Sequence, residues 1–227
     1  MRNKLKSTFY NPFDFSSKPN WYYGLYRKEM IKYVPRTAKT ILDVGCSSGL
    51  FGAQLKKVLG AEVWGIELNK ESALKANAKL SKVLIGDINE LIKDIPDSYF
   101  DAVVFNDVLE HLVDPFEVLL KMKKKLAPEG VIVCSLPNIR YIVTLKRLLI
   151  NKQWKYEDSG IMDKTHLRFF TLNSIKYMFK SLNFEILKIE GINSINLWFV
   201  PLLIIITFGY FSDTKYQEFA CVVKPSS

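Results

Sequence analysis

From residue 40 onward, short apolar runs closed by turn residues alternate with stretches of helical periodicity. That alternation restricts the chain to a parallel sheet with crossover helices. Strands are expected at Thr40–Val44, Glu62–Ile66, Lys82–Gly86, Phe100–Asn106 and Val131–Ser135, with helices at Leu50–Leu59, Lys70–Ala78 and Pro115–Leu126 between them. Asp114 followed by Pro115 is a helix start, a capping side chain and then proline at the first helical position. Pro128-Glu129-Gly130 reads as the turn that ends this helix. Upstream, Trp21–Val34 has helical spacing and would lie as a lid over the sheet. Downstream we expect a helix over Ile139–Leu149, an irregular connection over Gln153–Phe170, a helix capped by Thr171 that runs to Leu182, and strands at Phe184–Glu190 and Phe219–Val223. The fold class is therefore α/β, a Rossmann-like open sheet of about seven strands, mostly parallel with an antiparallel last strand and helices on both faces.

A chain of 227 residues suffices for one such domain. Its parts would be a helical lid over 1–38, a ligand-binding core over 39–138, an insertion on the second substrate's side over 139–183, and C-terminal strands with an apolar segment over 184–227. The hydrophobic fraction of 48% and charged fraction of 24% exclude disorder. Cys46, Cys134 and Cys221 lie too far apart for a zinc site or a disulfide scaffold, so no metal is expected, and a reducing cytoplasmic compartment fits. No signal peptide is evident at the N-terminus. The net charge of +9 favours anionic partners, although the densest run, Lys121–Lys125, reads as a solvated helix face.

Leu197–Phe211 is almost wholly apolar. As a helix it would reach about 22 Å, short of the roughly 30 Å hydrocarbon core, and Pro201 and Gly209 weaken it further. We expect a buried helix or a homodimer interface, with a peripheral membrane contact as the alternative, and no span.

The sharpest local signal is Ile41-Leu42-Asp43-Val44-Gly45-Cys46-Ser47-Ser48-Gly49. A buried strand ends at Asp43, and glycines then let the backbone turn tightly beside a ligand. A dinucleotide fingerprint would need glycine at 47 and 50, where Ser and Leu stand, and there is no phosphate-loop lysine. The wider turn suits an amino-acid moiety better than a pyrophosphate. Glu67, closing Trp64-Gly65-Ile66-Glu67-Leu68 at the second strand's end, can accept both hydroxyls of a ribose. Asp87, after the third strand, can accept from an exocyclic amine such as adenine's.

Together these elements resemble the class I S-adenosylmethionine-dependent methyltransferases. The likeness extends through Phe100–Leu112, with its Asn106-Asp107-Val108-Leu109-Glu110-His111 run, and Leu126–Gly130. It implies S-adenosyl-L-methionine as cofactor, with Asp43, Gly45 and Gly49 around the methionine part, Cys46 inside the same turn, Glu67 with Leu68 at the ribose, Asp87 with Ile88 at the adenine, and Asn106 near the sulfonium. Ser47 departs from the glycine common at that position. Ser135–Arg140 and Asp163–Thr171 resemble a bacterial branch associated with surface-polysaccharide and other glycan pathways.

Methyl transfer needs an aligned acceptor and a group to take its proton. The chain has two histidines, His111 and His166, and both fall in these motifs. His166 is the expected base, with Asp163 holding its ring in one tautomer and Arg168 gripping an anionic acceptor. His111 is the second catalytic candidate, for proton handling or as a polar wall beside the cofactor, and Asn138 is expected to bind the acceptor. Cys46 has no accompanying base and is not expected to be a nucleophile. The expected reaction is O-methylation of a small molecule or glycan precursor. A nucleic-acid methyltransferase is one alternative, but the fourth strand lacks a Pro-Pro-aromatic sequence and no nucleic-acid-binding module is visible. The other is a non-catalytic cofactor-binding protein that uses Leu197–Phe211 as an interface. The expected location is cytoplasmic, with peripheral membrane contact through that segment as its variant.

Overall fold

A computed structural model describes Lys18, Gly24 and residues 26–226. Strands β1 (Thr40–Val44), β2 (Glu62–Glu67), β3 (Lys82–Ile85), β4 (Phe100–Asn106), β5 (Leu126–Pro137), β6 (Phe184–Ser194) and β7 (Tyr216–Pro225) form one sheet in the order β3-β2-β1-β4-β5-β7-β6. All pairings among β1 to β5 are parallel, and β7 runs antiparallel between β5 and β6. The expected fold class is the one observed.

Both faces of the sheet are buried because successive residues of each strand serve opposite sides. Leu42 and Val44 join one core with Phe105, Phe179 and Phe219, whereas Ile41 joins the other with Leu55, Val63 and Val104. The crossover helices are α1 (Leu50–Leu59), α2 (Lys70–Asn77), the short α3 (Ile88–Leu91) and α4 (Pro115–Lys123). Asp114 caps α4 by accepting from Glu117 N at 3.0 Å, with Pro115 in the first turn. Two further helices, α5 (Ile142–Leu149) and α6 (Leu172–Ser181), flank an irregular connection. The α6 N-terminus is a capping box in which Thr171 and Ser174 satisfy each other's backbone N–H.

Four expectations need correction. Pro128-Glu129-Gly130 is not a terminal turn but lies within β5, whose pairing with β4 shifts register between Phe100 and Ala102; Glu129 takes a left-handed φ of 63° in this irregularity. The α4 helix ends at Lys123, three residues early, because the chain turns into that longer strand. Within Trp21–Val34 the described helical stretch is a 3-10 helix, Lys28–Tyr33, which buries Met30 and Tyr33; most of the preceding residues lie outside the described set. The segment Leu197–Phe211 is not a buried helix. It forms α7 (Val200–Ile206) and a turn, leaving Trp198 at 87% and Phe208 at 99% exposure. No helix among the described residues is long and apolar enough to cross a membrane.

Strand order reverses between β1 and β4, so the loops after these two strands diverge and open a crevice at their C-terminal ends.

Candidate functional site

The crevice holds a cavity of about 410 Å³, within the range of small-ligand sites. Of the residues singled out in the sequence, Asp43, Gly45, Cys46, Glu67, Leu68, Asp87, Ile88, Asn106, His111, Asp163 and His166 line it.

The loop after β1 is folded by backbone bonds to its neighbour strand. Gly45 N and Cys46 N both donate to Ile66 O, at 2.8 and 3.0 Å. Gly45 has φ 72°, and a Cβ there would meet Val108 Cγ2 at 2.6 Å, so only glycine fits. Gly49, φ 76°, lies behind the cavity wall at the start of α1, where a Cβ would strike Ala76 Cα at 2.9 Å. It shapes the turn without lining the space. Glu67 is buried and holds both loop ends, accepting from Ser47 N at 2.8 Å and Asn69 N at 2.7 Å. Each carboxylate oxygen retains a further lone pair. Burial pushes the Glu67 carboxyl up, and the backbone donors work against that. Asp87 caps α3 through Asn89 N at 2.8 Å.

Two acceptors in this half are left over. Asp43 is 2% exposed, and its Oδ2 has no hydrogen-bond partner among the described residues; neither does Asn106 Oδ1. Burial, with Glu67 adding repulsion, pushes the Asp43 carboxyl up to about 8. Buried oxygens without donors are costly, and both residues line the cavity, so a ligand bearing N–H or ammonium donors would relieve an oxygen it reached. Burial also pushes the Cys46 thiol up, which removes it as a nucleophile.

The other half is built from the segment after β4 and the connection before α6. Leu167 N and Arg168 N both donate to Glu110 O, at 2.8 and 3.0 Å, which brings His166 beside His111 with ring centroids 4.6 Å apart. His111 Nδ1 lies 3.0 Å from Thr165 O, and His166 Nδ1 lies 3.0 Å from Ile161 O. A carbonyl oxygen only accepts, so both Nδ1 atoms carry hydrogen. Burial pushes His111 down to about 4 and also lowers His166, so both rings are neutral near pH 7.

The expected supporting residues behave differently. Asp163 does not hold the His166 ring; it accepts from Thr165 N and Oγ1, each at 2.8 Å, and pairs with buried Lys18. The Ile161 carbonyl sets the His166 tautomer instead. Asn138 is fully buried, its amide donating to Asp213 O and Tyr216 O and accepting from Arg140 N, all at 3.0 Å. It ties β5 to the C-terminal strand and does not reach the cavity. Arg168 is exposed and donates to Val113 O. It pins the loop.

Three contributors escaped the sequence reading. Arg27 lines the cavity and bridges Asp107 and Glu218, the latter at 2.6 Å. Burial opposes its charge, but the two carboxylates outweigh burial and keep it protonated. Asp107 sits at φ 54°, a conformation held by Ser135 Oγ, which donates to Asp107 Oδ1 at 2.7 Å and accepts from Asp107 N at 3.0 Å. Glu110 is 1% exposed, and neither carboxylate oxygen has a hydrogen-bond partner among the described residues. Its place beside His111 in the motif was the available signal.

A family model described as a methyltransferase domain matches residues 20–189. The chain belongs to this methyltransferase-domain family. An uncharacterized methyltransferase of Schizosaccharomyces pombe is 35% identical over 118 residues, 47% of this chain and 42% of that protein. A ubiquinone biosynthesis O-methyltransferase of Actinobacillus pleuropneumoniae is 28% identical over 149 residues, 60% of this chain and 62% of its own length. The matches thus span about half the length of these curated relatives. A crystal structure of an S-adenosylmethionine-dependent methyltransferase from Archaeoglobus fulgidus superposes with a TM-score of 0.63 at 24% identity, covering 86% of this chain and 91% of that one. At that identity the likeness shows the methyltransferase fold.

Proposed function

We propose that this chain is an S-adenosylmethionine-dependent methyltransferase that methylates an oxygen of a small-molecule or sugar-precursor acceptor. The observation that carries the reading is one cavity lined by Asp43 and Asn106, whose Oδ2 and Oδ1 lack hydrogen-bond partners among the described residues, with a glycine turn on one side and two neutral imidazoles on the other. The first half suits an amino acid joined to a nucleoside. Asp43, Gly45 and Cys46 would border the methionine part, Glu67 and Leu68 the ribose, Asp87 and Ile88 the adenine, and Asn106 the sulfonium end. Bound there, the cofactor supplies an electrophilic methyl group.

The second half supplies what an oxygen acceptor needs. Asp163, Thr165 and Lys18 lock the loop that carries His166, and the carbonyls of Ile161 and Thr165 leave the lone pair of each imidazole on Nε2. Orientation and proton removal by the Glu110–His111–His166 cluster follow from that arrangement. The relatives named as ubiquinone biosynthesis O-methyltransferases support oxygen as the methylated atom. A place in glycan pathways rests on the sequence resemblance alone.

The test is incubation of cell extracts with isotopically labelled S-adenosylmethionine, with labelled products identified by mass spectrometry. We expect a labelled low-molecular-mass ether or ester, and His166→Ala to slow its formation at least about 10²-fold while cofactor affinity stays near wild type. Label found only in nucleic acid, or a folded mutant with unchanged rate, overturns the reading.

A further inference from the structure

The Glu110 carboxylate is the least explained group in the molecule. Among the described residues no other residue donates a hydrogen bond to either of its buried oxygens, and His166 Nε2 stands 3.8 Å from Oε1, too far for a hydrogen bond. An unpaired buried carboxylate is among the most costly features a fold can contain. Loop geometry enforces it nonetheless, since Glu110 O receives two backbone N–H groups that fix residue 110 beside the loop carrying His166.

We propose that Glu110, His111 and His166 form a binding site for a divalent transition cation of the zinc class. One ligand atom from each residue can be chosen so that all lie within 4.8 Å of one another. Atoms bound about 2.1 Å from one cation lie up to about 4 Å apart, so a closure of about 1 Å forms the site. Two imidazole nitrogens with one carboxylate oxygen is a donor set that selects zinc, iron or cobalt over magnesium or calcium. The second shell matches as well. Ligating histidines nearly always donate the other ring N–H to a carbonyl or carboxylate, which is how Thr165 O and Ile161 O hold these two rings.

Charge balance points the same way. The groups acting on the cluster are Glu110, Asp107, Asp163 and Glu218 on the acidic side and Lys18 and Arg27 on the basic side, four carboxylates against two cations. A divalent ion would offset that excess of carboxylates. Three protein ligands leave a coordination position directed at the cavity that all three residues line, the pattern of a catalytic rather than a structural site. With the ion bound the Nε2 lone pairs would serve as ligands in place of acting as bases, and an acceptor hydroxyl at the open position would lose its proton to solvent more readily and present its oxygen to the incoming methyl group. That role rests on the methyltransferase reading; the cation site does not.

The experiment uses the full chain without an affinity tag, stripped with a chelator and titrated with Co²⁺ and then Zn²⁺. We expect one equivalent of Co²⁺ to develop visible ligand-field bands that Zn²⁺ abolishes. Glu110→Gln and His166→Ala should each weaken binding at least about tenfold, their fold being verified by circular dichroism and S-adenosylmethionine affinity. X-ray absorption at the zinc edge of the unmutated protein provides a readout independent of variant folding, with nitrogen and oxygen scatterers expected. Absence of saturable binding, unchanged binding in both variants, or sulfur ligation would each overturn the site. Calorimetry of S-adenosylmethionine on the same preparation separates this outcome from failure of the functional reading, because the residues proposed to hold the cofactor do not include the three ligands.

Discussion

Replacing Gly45 with alanine probes the turn after β1 through two separable costs. The residue has φ 72°, and a Cβ would stand 2.6 Å from Val108 Cγ2. A left-handed backbone costs a non-glycine residue roughly 1–2 kcal/mol, and an overlap forced into a packed site typically costs about 1–3 kcal/mol more. Gly45→Ala should therefore destabilise the protein by about 2–5 kcal/mol in urea denaturation. Val108→Ala removes the methyl in the way but not the backbone strain. In the double mutant the overlap component, about 1 kcal/mol or more, should be recovered relative to the sum of the singles. Both residues line the cavity, so S-adenosylmethionine affinity measured calorimetrically should fall in Gly45→Ala and recover in part in the double mutant. Effects that add within about 0.5 kcal/mol would refute the steric argument, and an unchanged stability in Gly45→Ala would refute the turn geometry itself.

Removing the Arg27 side chain leaves Asp107 and Glu218 facing each other beside the cavity, and Arg27→Ala should cost about 3 kcal/mol of stability by denaturant titration; a loss under about 0.5 kcal/mol would mean the bridge is no more than a surface pair. Stability of the metal-free, cofactor-free protein should fall as pH rises from about 6.5 to 8. Asp43 is pushed up to about 8 by burial and Glu67, and Glu218 up to about 7 by burial and Asp107, so the folded state holds protons that the unfolded chain has released. Lowered His111 and His166 act oppositely only below about pH 6.5, where unfolded histidines gain protons. Differential scanning fluorimetry across that range checks the sign, and Asp43→Asn should flatten the slope; a melting temperature that climbs from pH 6.5 to 8 contradicts it.

Much of the cavity wall built on β1 to β3 was legible because its logic is local. A buried strand, a glycine turn and a strand-end acid recur at fixed spacing, and Asp43, Gly45, Glu67 and Asp87 came from that spacing alone. The second half depends on contacts between distant residues. Arg27 meets partners 80 and 191 positions away, and Lys18 meets Asp163 across 145; no periodicity encodes such pairs. Asn138 and Arg168 were misplaced for a related reason. A polar residue near a strand end can face the ligand or satisfy backbone groups, and only the paths of residues 210–216 and 110–113 decide which. The continuation of β5 through Pro128-Glu129-Gly130 reversed an ordinary turn signal, since an irregular stretch of strand tolerates the same residues. Hydrophobicity alone likewise suggested burial for Leu197–Phe211, where Trp198, Ile205, Phe208 and Tyr210 are exposed.

Isothermal titration of S-adenosylmethionine into the wild-type protein and Glu67→Ala tests the central claim most directly. Glu67 lines the cavity with lone pairs to spare for ribose hydroxyls, and loss of that charge-assisted pair should weaken binding by about 1.5–3 kcal/mol, roughly ten- to a hundredfold or more. Because the carboxylate also holds Ser47 N and Asn69 N, a parallel thermal melt must show the variant folded. One-to-one binding by the wild type and that loss in folded Glu67→Ala is the predicted result; no binding by the wild type, or equal affinity in the variant, would contradict the account.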